Sequence, residues 1–265
     1  NAAADAATNN STAATQLSVV YDNTNPTVVL STPLNPTNVS PFTVTAKFSE
    51  NVTGVDISDF AVVNGAPSNF VLVNATTYTV SVTPSASPIT IDMAANAAAD
   101  AATNNSTAAT QLSVVYDNVA PTVVITSSTA SANSTTSSTT LSYTAKFSES
   151  VLNFTSSDIT VTGTANGGVP AVSNFVPVNS TLYTFNVLRG SSDGTAIVSV
   201  LAGVATDTAT NPNTASNVYT LTIDTIAPTV AITSSPVSGS TTNATILNYT
   251  ATFSESVLNF TSSDI

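Results

Sequence analysis

The chain has 265 residues, only 7% of them charged, and it contains no cysteine and no histidine. Disulfides, thiolate metal sites, imidazole zinc ligands and the usual general base are therefore excluded. A net charge of −12, with only Lys47, Lys146 and Arg189 on the basic side, leaves nothing to neutralise phosphates, so neither nucleic acid nor membrane insertion is expected of this segment.

Residues 1–23, NAAADAATNNSTAATQLSVVYDN, recur letter for letter at 96–118 and read as the closing piece of a repeat. The register is set by Pro-Thr-Val at Pro26, Pro121 and Pro228, spaced 95 and 107 residues apart. Two diverged repeats, 24–118 and 119–225, are complete, and 226–265 is the opening piece of another. Units of this size bury a core without disulfides. No run of about 18 apolar residues marks a membrane span.

In chain order, each repeat opens with a short strand after its proline. A second strand follows, in which Phe42, Val44, Ala46 and Phe48 alternate with Thr and Lys; its counterparts are Leu141, Tyr143, Ala145 and Phe147. The Ser/Thr-rich stretches 127–140 and 234–245 between these two strands are expected to be exposed connections. A third strand is expected to begin at Asp59 and Asp158. Tyr78, Val80 and Val82 then alternate with hydroxylic residues, matched by Tyr183, Phe185 and Val187. Ile89, Ile91 and Met93 match Ala196, Val198 and Val200. Leu112, Val114 and Tyr116 match Tyr219, Leu221 and Ile223. Helical signal is weak, and Gly167-Gly168 reads as a turn rather than a phosphate cradle. The period of two, with one apolar and one hydroxylic face, predicts about seven strands per repeat in two facing sheets, an all-β sandwich.

Three motifs carry a resemblance. They are Phe-Ser-Glu with its downstream Asp, at 48–59, 147–158 and 253–264; the Ser-Asn-Phe-Val strings within 67–79 and 172–184; and the A-x-D-x-A-x-N-x-x-T loops at 98–107 and 205–214. Together they resemble the bacterial immunoglobulin-like tandem repeats of large cell-surface adhesins. The resemblance implies immunoglobulin-like β-sandwiches strung head to tail as a stalk, with no activity in the individual module.

Twelve of the fifteen acids fall at four repeat-equivalent positions. Glu50, Glu149 and Glu255 follow the second strand. Asp59, Asp158 and Asp264 follow nine residues later. Asp5, Asp100 and Asp207 lie in the loop before the last strand. Asp22, Asp117 and Asp224 stand at repeat junctions. On an up-and-down count of strands, Asp22, Glu50, Asp59 and Asp100 converge on one pole, as do Asp117, Glu149, Asp158 and Asp207. Two unit charges about 4 Å apart repel by roughly 4 kcal/mol at an effective dielectric near 20. A hard divalent cation offsets this better than three basic residues can, and all-oxygen ligands favour Ca²⁺. Asp224 and Glu255 are the same positions one junction later. The competing reading is turn chemistry, in which Asp and Asn close strand ends through their own side chains.

Among the Asn-X-Ser/Thr sequons, Asn133 and Asn243, in the Ser/Thr-rich connections, are the candidate glycosylation sites. Tryptophan is absent and many of the Tyr and Phe alternate inward, which argues against a carbohydrate platform. Acids that recur once per junction argue against a glycosidase pair and against an enzyme. The expected function is a structural, extracellular stalk segment of a cell-surface adhesin, stiffened by calcium at repeat junctions. Its partners are neighbouring repeats of the same chain and laterally associated copies. Two alternatives stand: a subunit of a self-assembling surface filament or layer, and non-catalytic spacer or carbohydrate-binding repeats of a secreted hydrolase.

Overall fold

The computed structural model describes residues 3–165 and 172–265. Gly167 and Gly168, read above as a turn, lie outside them. The chain divides into two compact units, Asn1–Ala120 with Thr206–Pro212, and Pro121–Ala205 with Asn213–Ile265. No helix among the described residues is long and apolar enough to cross a membrane.

In the first unit the strands are β1 (Val28–Ser31), β2 (Phe42–Phe48), β3 (Ala61–Val63), β4 (Gly65–Asn74), β5 (Thr77–Pro84), β6 (Ile89–Asp92) and β7 (Leu112–Val114). They form two antiparallel sheets, ordered β1-β2-β5-β4 and β3-β6-β7. Strand β2 alternates buried and exposed residues, so Phe42, Val44, Ala46 and Phe48 all point into the sandwich. They meet Ile89, Ile91 and Val114 from the other sheet. Period-two patterning alone assigns these faces, because a one-residue slip would turn every apolar side chain to water.

The second unit repeats the plan with β8 (Val123–Ser127), β9 (Thr135–Thr136), β10 (Thr140–Phe147), β11 (Ile159–Thr162), β12 (Val172–Asn179), β13 (Leu182–Leu188), β14 (Gly194–Val200) and β15 (Tyr219–Ile223). Its sheets are ordered β12-β13-β10-β8 and β11-β14-β15-β9. The core joins Leu141, Tyr143, Phe147 and Phe185 to Val198, Val200, Leu221 and Ile223. Strands β16 (Val230–Ser235) and β17 (Asn248–Phe253) pair as a two-stranded sheet with their apolar residues largely exposed.

Two local expectations are corrected. The stretch 127–140 is not wholly an exposed connection, because Thr135 and Thr136 form β9 and pair in parallel with Thr222 and Ile223 of β15. In the first unit, a single parallel bridge from Thr37 to Tyr116 stands in the corresponding place. Second, β3 does not begin at Asp59. A 3₁₀ turn, Ile57–Asp59, precedes it, and Ser156–Asp158 and Ser262–Asp264 form the same turn elsewhere.

Candidate cation site at the connector

Two recurring motifs are clasped to each other before any acid is placed. In the first unit the Ser49 N–H donates to Thr27 O at 2.9 Å, and the Thr27 N–H donates to Ser49 Oγ at 3.0 Å. Ser148 and Thr122 make the same pair of bonds at 2.9 and 3.0 Å, and Ser254 and Thr229 make it at 2.9 and 2.9 Å. Phe-Ser-Glu and Pro-Thr-Val therefore recur together because each satisfies the other's backbone. Beyond the glutamate, Val52 N–H donates to Ala75 O and the Tyr78 phenol donates to Val52 O at 2.8 Å. Glu50 is thus held on a turn pinned at both ends over the buried Phe48–Tyr78 aromatic pair.

The aspartate comes from a loop with its own internal logic. Asp100 Oδ1 accepts from the Asn104 N–H at 2.8 Å, and Oδ2 accepts from Asn104 Nδ2 at 2.8 Å. Asp207 and Asn211 repeat this at 2.9 and 2.8 Å, and Asp5 and Asn9 at 3.0 and 3.0 Å. Each loop places a threonine in the left-handed region, Thr103 at φ 69°, Thr210 at 72° and Thr8 at 68°. That conformation is strained for a β-branched residue and persists only where surrounding bonds over-determine it. Asp100 is 7% exposed and Asp207 2%. Buried carboxylates need such donors.

Three carboxylates meet in the first unit. Asp22 is exposed, Glu50 half-buried and Asp100 buried, and each offers an oxygen within 4.8 Å of the other two. Burial, followed by the charges of Asp22 and Asp100, pushes the Glu50 carboxyl above its ordinary range. The Asn104 side-chain amide, against the opposing effect of burial, holds Asp100 below its own. The connector carbonyl of Asp22 accepts from Asn104 Nδ2 at 3.2 Å, so it too faces this loop. Two oxygens on one Ca²⁺ at about 2.4 Å are at most about 4.8 Å apart, so the donor set fits that ion in spacing and in chemistry.

The other sequence-selected acids take different places. Asp117 and Asp207, both in the first compact unit, also present oxygens within 4.8 Å of each other. Glu149 follows Ser148 in the second unit, in the place Glu50 holds after Ser49. Asp224, Glu255 and Asp264 line one open groove of about 640 Å³ in the second unit, with Thr135 and Thr136. Asp59 does not stand with Asp22, Glu50 and Asp100. Its Oδ2 accepts from the Asp56 N–H at 2.7 Å in a capping box. Asp158 and Asp264 serve Thr155 and Thr261 alike, at 2.7 and 2.8 Å. Turn chemistry accounts for these three, because an unpaired N–H at the start of a 3₁₀ turn needs an acceptor.

Residue-type reasoning passed over Asn104 and Asn211, which organise the acidic loops. The signal was an aspartate followed four residues later by asparagine, in three copies. Asn133 is exposed, at φ 63°, with its backbone N–H bonded to Thr220 O at 2.7 Å, and Asn243 is exposed.

Residues 22–116 match the family described as Bacterial Ig-like domain. No curated protein matches the chain. Among solved structures, the Escherichia coli adhesin FdeC aligns at 16% identity over 89% of this chain and 76% of its own, with a TM-score of 0.40. Yersinia pseudotuberculosis InvD aligns at 14% identity over 80% of this chain and 64% of its own, with a TM-score of 0.33. The Y. pseudotuberculosis adhesin InvE aligns at 12% identity over 76% and 59%, with a TM-score of 0.27.

Proposed function

From the match of residues 22–116 to a bacterial Ig-like domain family, we propose that the chain is a segment of an extracellular stalk that presents something at a distance from a cell surface. Tandem sandwiches lengthen such a stalk by copying. Calcium stiffens it where a connector enters a sandwich. The observation that carries the cation is the meeting of Asp22, Glu50 and Asp100 with oxygens within 4.8 Å, with Glu50 held above its ordinary range by burial and by the other two charges. Asp117, Glu149 and Asp207 are the same three positions one repeat later in the sequence. Asp224 and Glu255 extend the series.

Bound calcium would supply charge neutralisation and cross-linking of the connector to two loops of the sandwich. The chain's own residues place the ligands: Ser49 and Tyr78 hold the Glu50 turn, and Asn104 holds the Asp100 loop. The role is mechanical and no substrate is implied. Glycans at Asn133 and Asn243 would sit on exposed connections, in keeping with an extracellular location.

Calorimetric melting of the full chain in calcium and in chelator tests the reading. The expected result is a higher midpoint in calcium, with the shift reduced in Glu50→Gln and Asp100→Asn. Identical midpoints in calcium and chelator would sink the cation. Electron microscopy separates a single extended string from the alternative of regular multi-chain filaments.

A further inference from the structure

The asparagine of each acidic loop does more than satisfy its aspartate. Asn211 Nδ2 donates to Asp207 Oδ2 at 2.8 Å and to the backbone carbonyl of Asp117 at 2.9 Å, while its Oδ1 accepts from Asn38 Nδ2 at 3.1 Å. Both amide hydrogens and the amide oxygen are engaged, and the residue is 6% exposed. Asn104 repeats the bridge, donating to Asp100 Oδ2 at 2.8 Å and to the connector carbonyl of Asp22 at 3.2 Å. The two repeats have diverged across most of their length, yet each sends the same amide from the same loop to the same connector carbonyl.

We infer that Asn104 and Asn211 are latches that hold the connector carbonyls of Asp22 and Asp117 to the acidic loop without any cation. The bridge needs a donor with two N–H groups, one for the buried carboxylate and one for the connector. Asparagine supplies both, and aspartate supplies neither. Asp5 and Asn9 close the same turn within the exposed segment 3–23. In the second repeat its base is fastened separately: Asn213 Oδ1 accepts from the Val204 and Ala205 N–H groups at 2.9 and 2.8 Å. Loss of the Asn211 amide therefore frees the connector and leaves the loop's base closed. The inference rests on the stalk reading for its purpose and does not depend on calcium.

Two connector amides report on the Asn211 latch. Asp117 N–H donates to Thr37 O at 3.0 Å, and Val119 N–H donates to Asp117 Oδ1 at 3.0 Å. Hydrogen exchange of the full chain, in chelator, is measured for wild type, Asn211→Asp and Asn211→Ala. Exchange at 117–119 is expected to be about tenfold faster in both variants, the equivalent of one hydrogen bond, with β10 and β13 unchanged. Asn104→Ala is expected to speed exchange at Thr24 in the same way. Asn211→Asp is the discriminating change, because a metal ligand would tolerate a carboxylate and a latch donor is destroyed by it. Equal connector exchange in variants and wild type would overturn the latch. So would wild-type protection that disappears when calcium is chelated, or loss of protection throughout β10 and β13 in the variants. A calcium-independent melting point combined with faster connector exchange in the variants would remove the cation and leave the latch standing.

Discussion

Single side chains in this protein are decided by what they can bond to once buried. Tyr143 lies in the second core with its phenol oxygen buried and without a hydrogen-bond partner among the described residues, and burial raises the phenol's pKa. The first unit has Val44 in the equivalent place, so the fold does not require the hydroxyl. Tyr143→Phe is expected to stabilise the second unit by about 1–3 kcal/mol, read as a higher denaturant midpoint with unchanged slope. Glu50 and Asp100 carry opposite signs. Glu50 binds its proton more tightly when folded, so its contribution is fully present below the ordinary glutamate value and is lost as pH rises through the raised folded one. Asp100 contributes above the ordinary aspartate value, and that contribution is lost as pH falls through its depressed folded value. In chelator, lowering the pH from 7 toward the ordinary glutamate value should therefore stabilise the first unit through Glu50, and Glu50→Gln should remove that gain. An equal gain in the variant would rule out Glu50 as its source.

At the scale of elements, the recurring motifs prove to be joints. The reciprocal Ser–Thr bonds appear three times, at Thr27 with Ser49, Thr122 with Ser148 and Thr229 with Ser254. Each ties the start of one strand to the end of its neighbour and so fixes where the following glutamate emerges. Ser148→Ala leaves the Thr122 N–H without its side-chain acceptor and is expected to destabilise the second unit by about 0.5–1.5 kcal/mol in urea titration. The capping boxes behave alike. Asp158→Ala should cost about 1 kcal/mol, and it should do so equally in calcium and in chelator, because Asp158 accepts from Thr155 in its turn. A calcium-dependent loss would return Asp158 to the cation set. These joints were legible in sequence only as spacing. The period-two strands could be read directly, since alternation is local, whereas β9 escaped detection because two threonines pairing in parallel with a distant strand have no pattern of their own.

For the whole molecule, two separate cores imply two separable unfolding events. One joins Phe42, Val44 and Val80 to Ile89 and Ile91, and the other joins Leu141, Phe147 and Phe185 to Val198 and Leu221. Ile91→Ala is expected to cost about 2–5 kcal/mol and to lower one calorimetric transition while sparing the other. A single transition moved as a block would mean that the chain folds as one cooperative body. Calcium at about one hundred times its dissociation constant should add about 2.7 kcal/mol to a unit with one intact site.

The chain's letters alone determined the all-β class, the inward faces of the strands and the recurrence of the acids, because periodicity and copying are properties of the sequence itself. They also led to the expectation that Asp22, Glu50 and Asp100 share one pole with Asp59, since strand count decides which loops share an end. Only the tertiary structure separated those three from Asp59. The distinction turns on which N–H lies within about 3 Å of a given carboxylate, and it depends on a 3₁₀ turn that no spacing announced. Packing likewise revealed Asn104 and Asn211, whose bonds to Asp22 and Asp117 span 82 and 94 residues of chain. An amide's purpose is invisible until the fold brings a distant carbonyl to it.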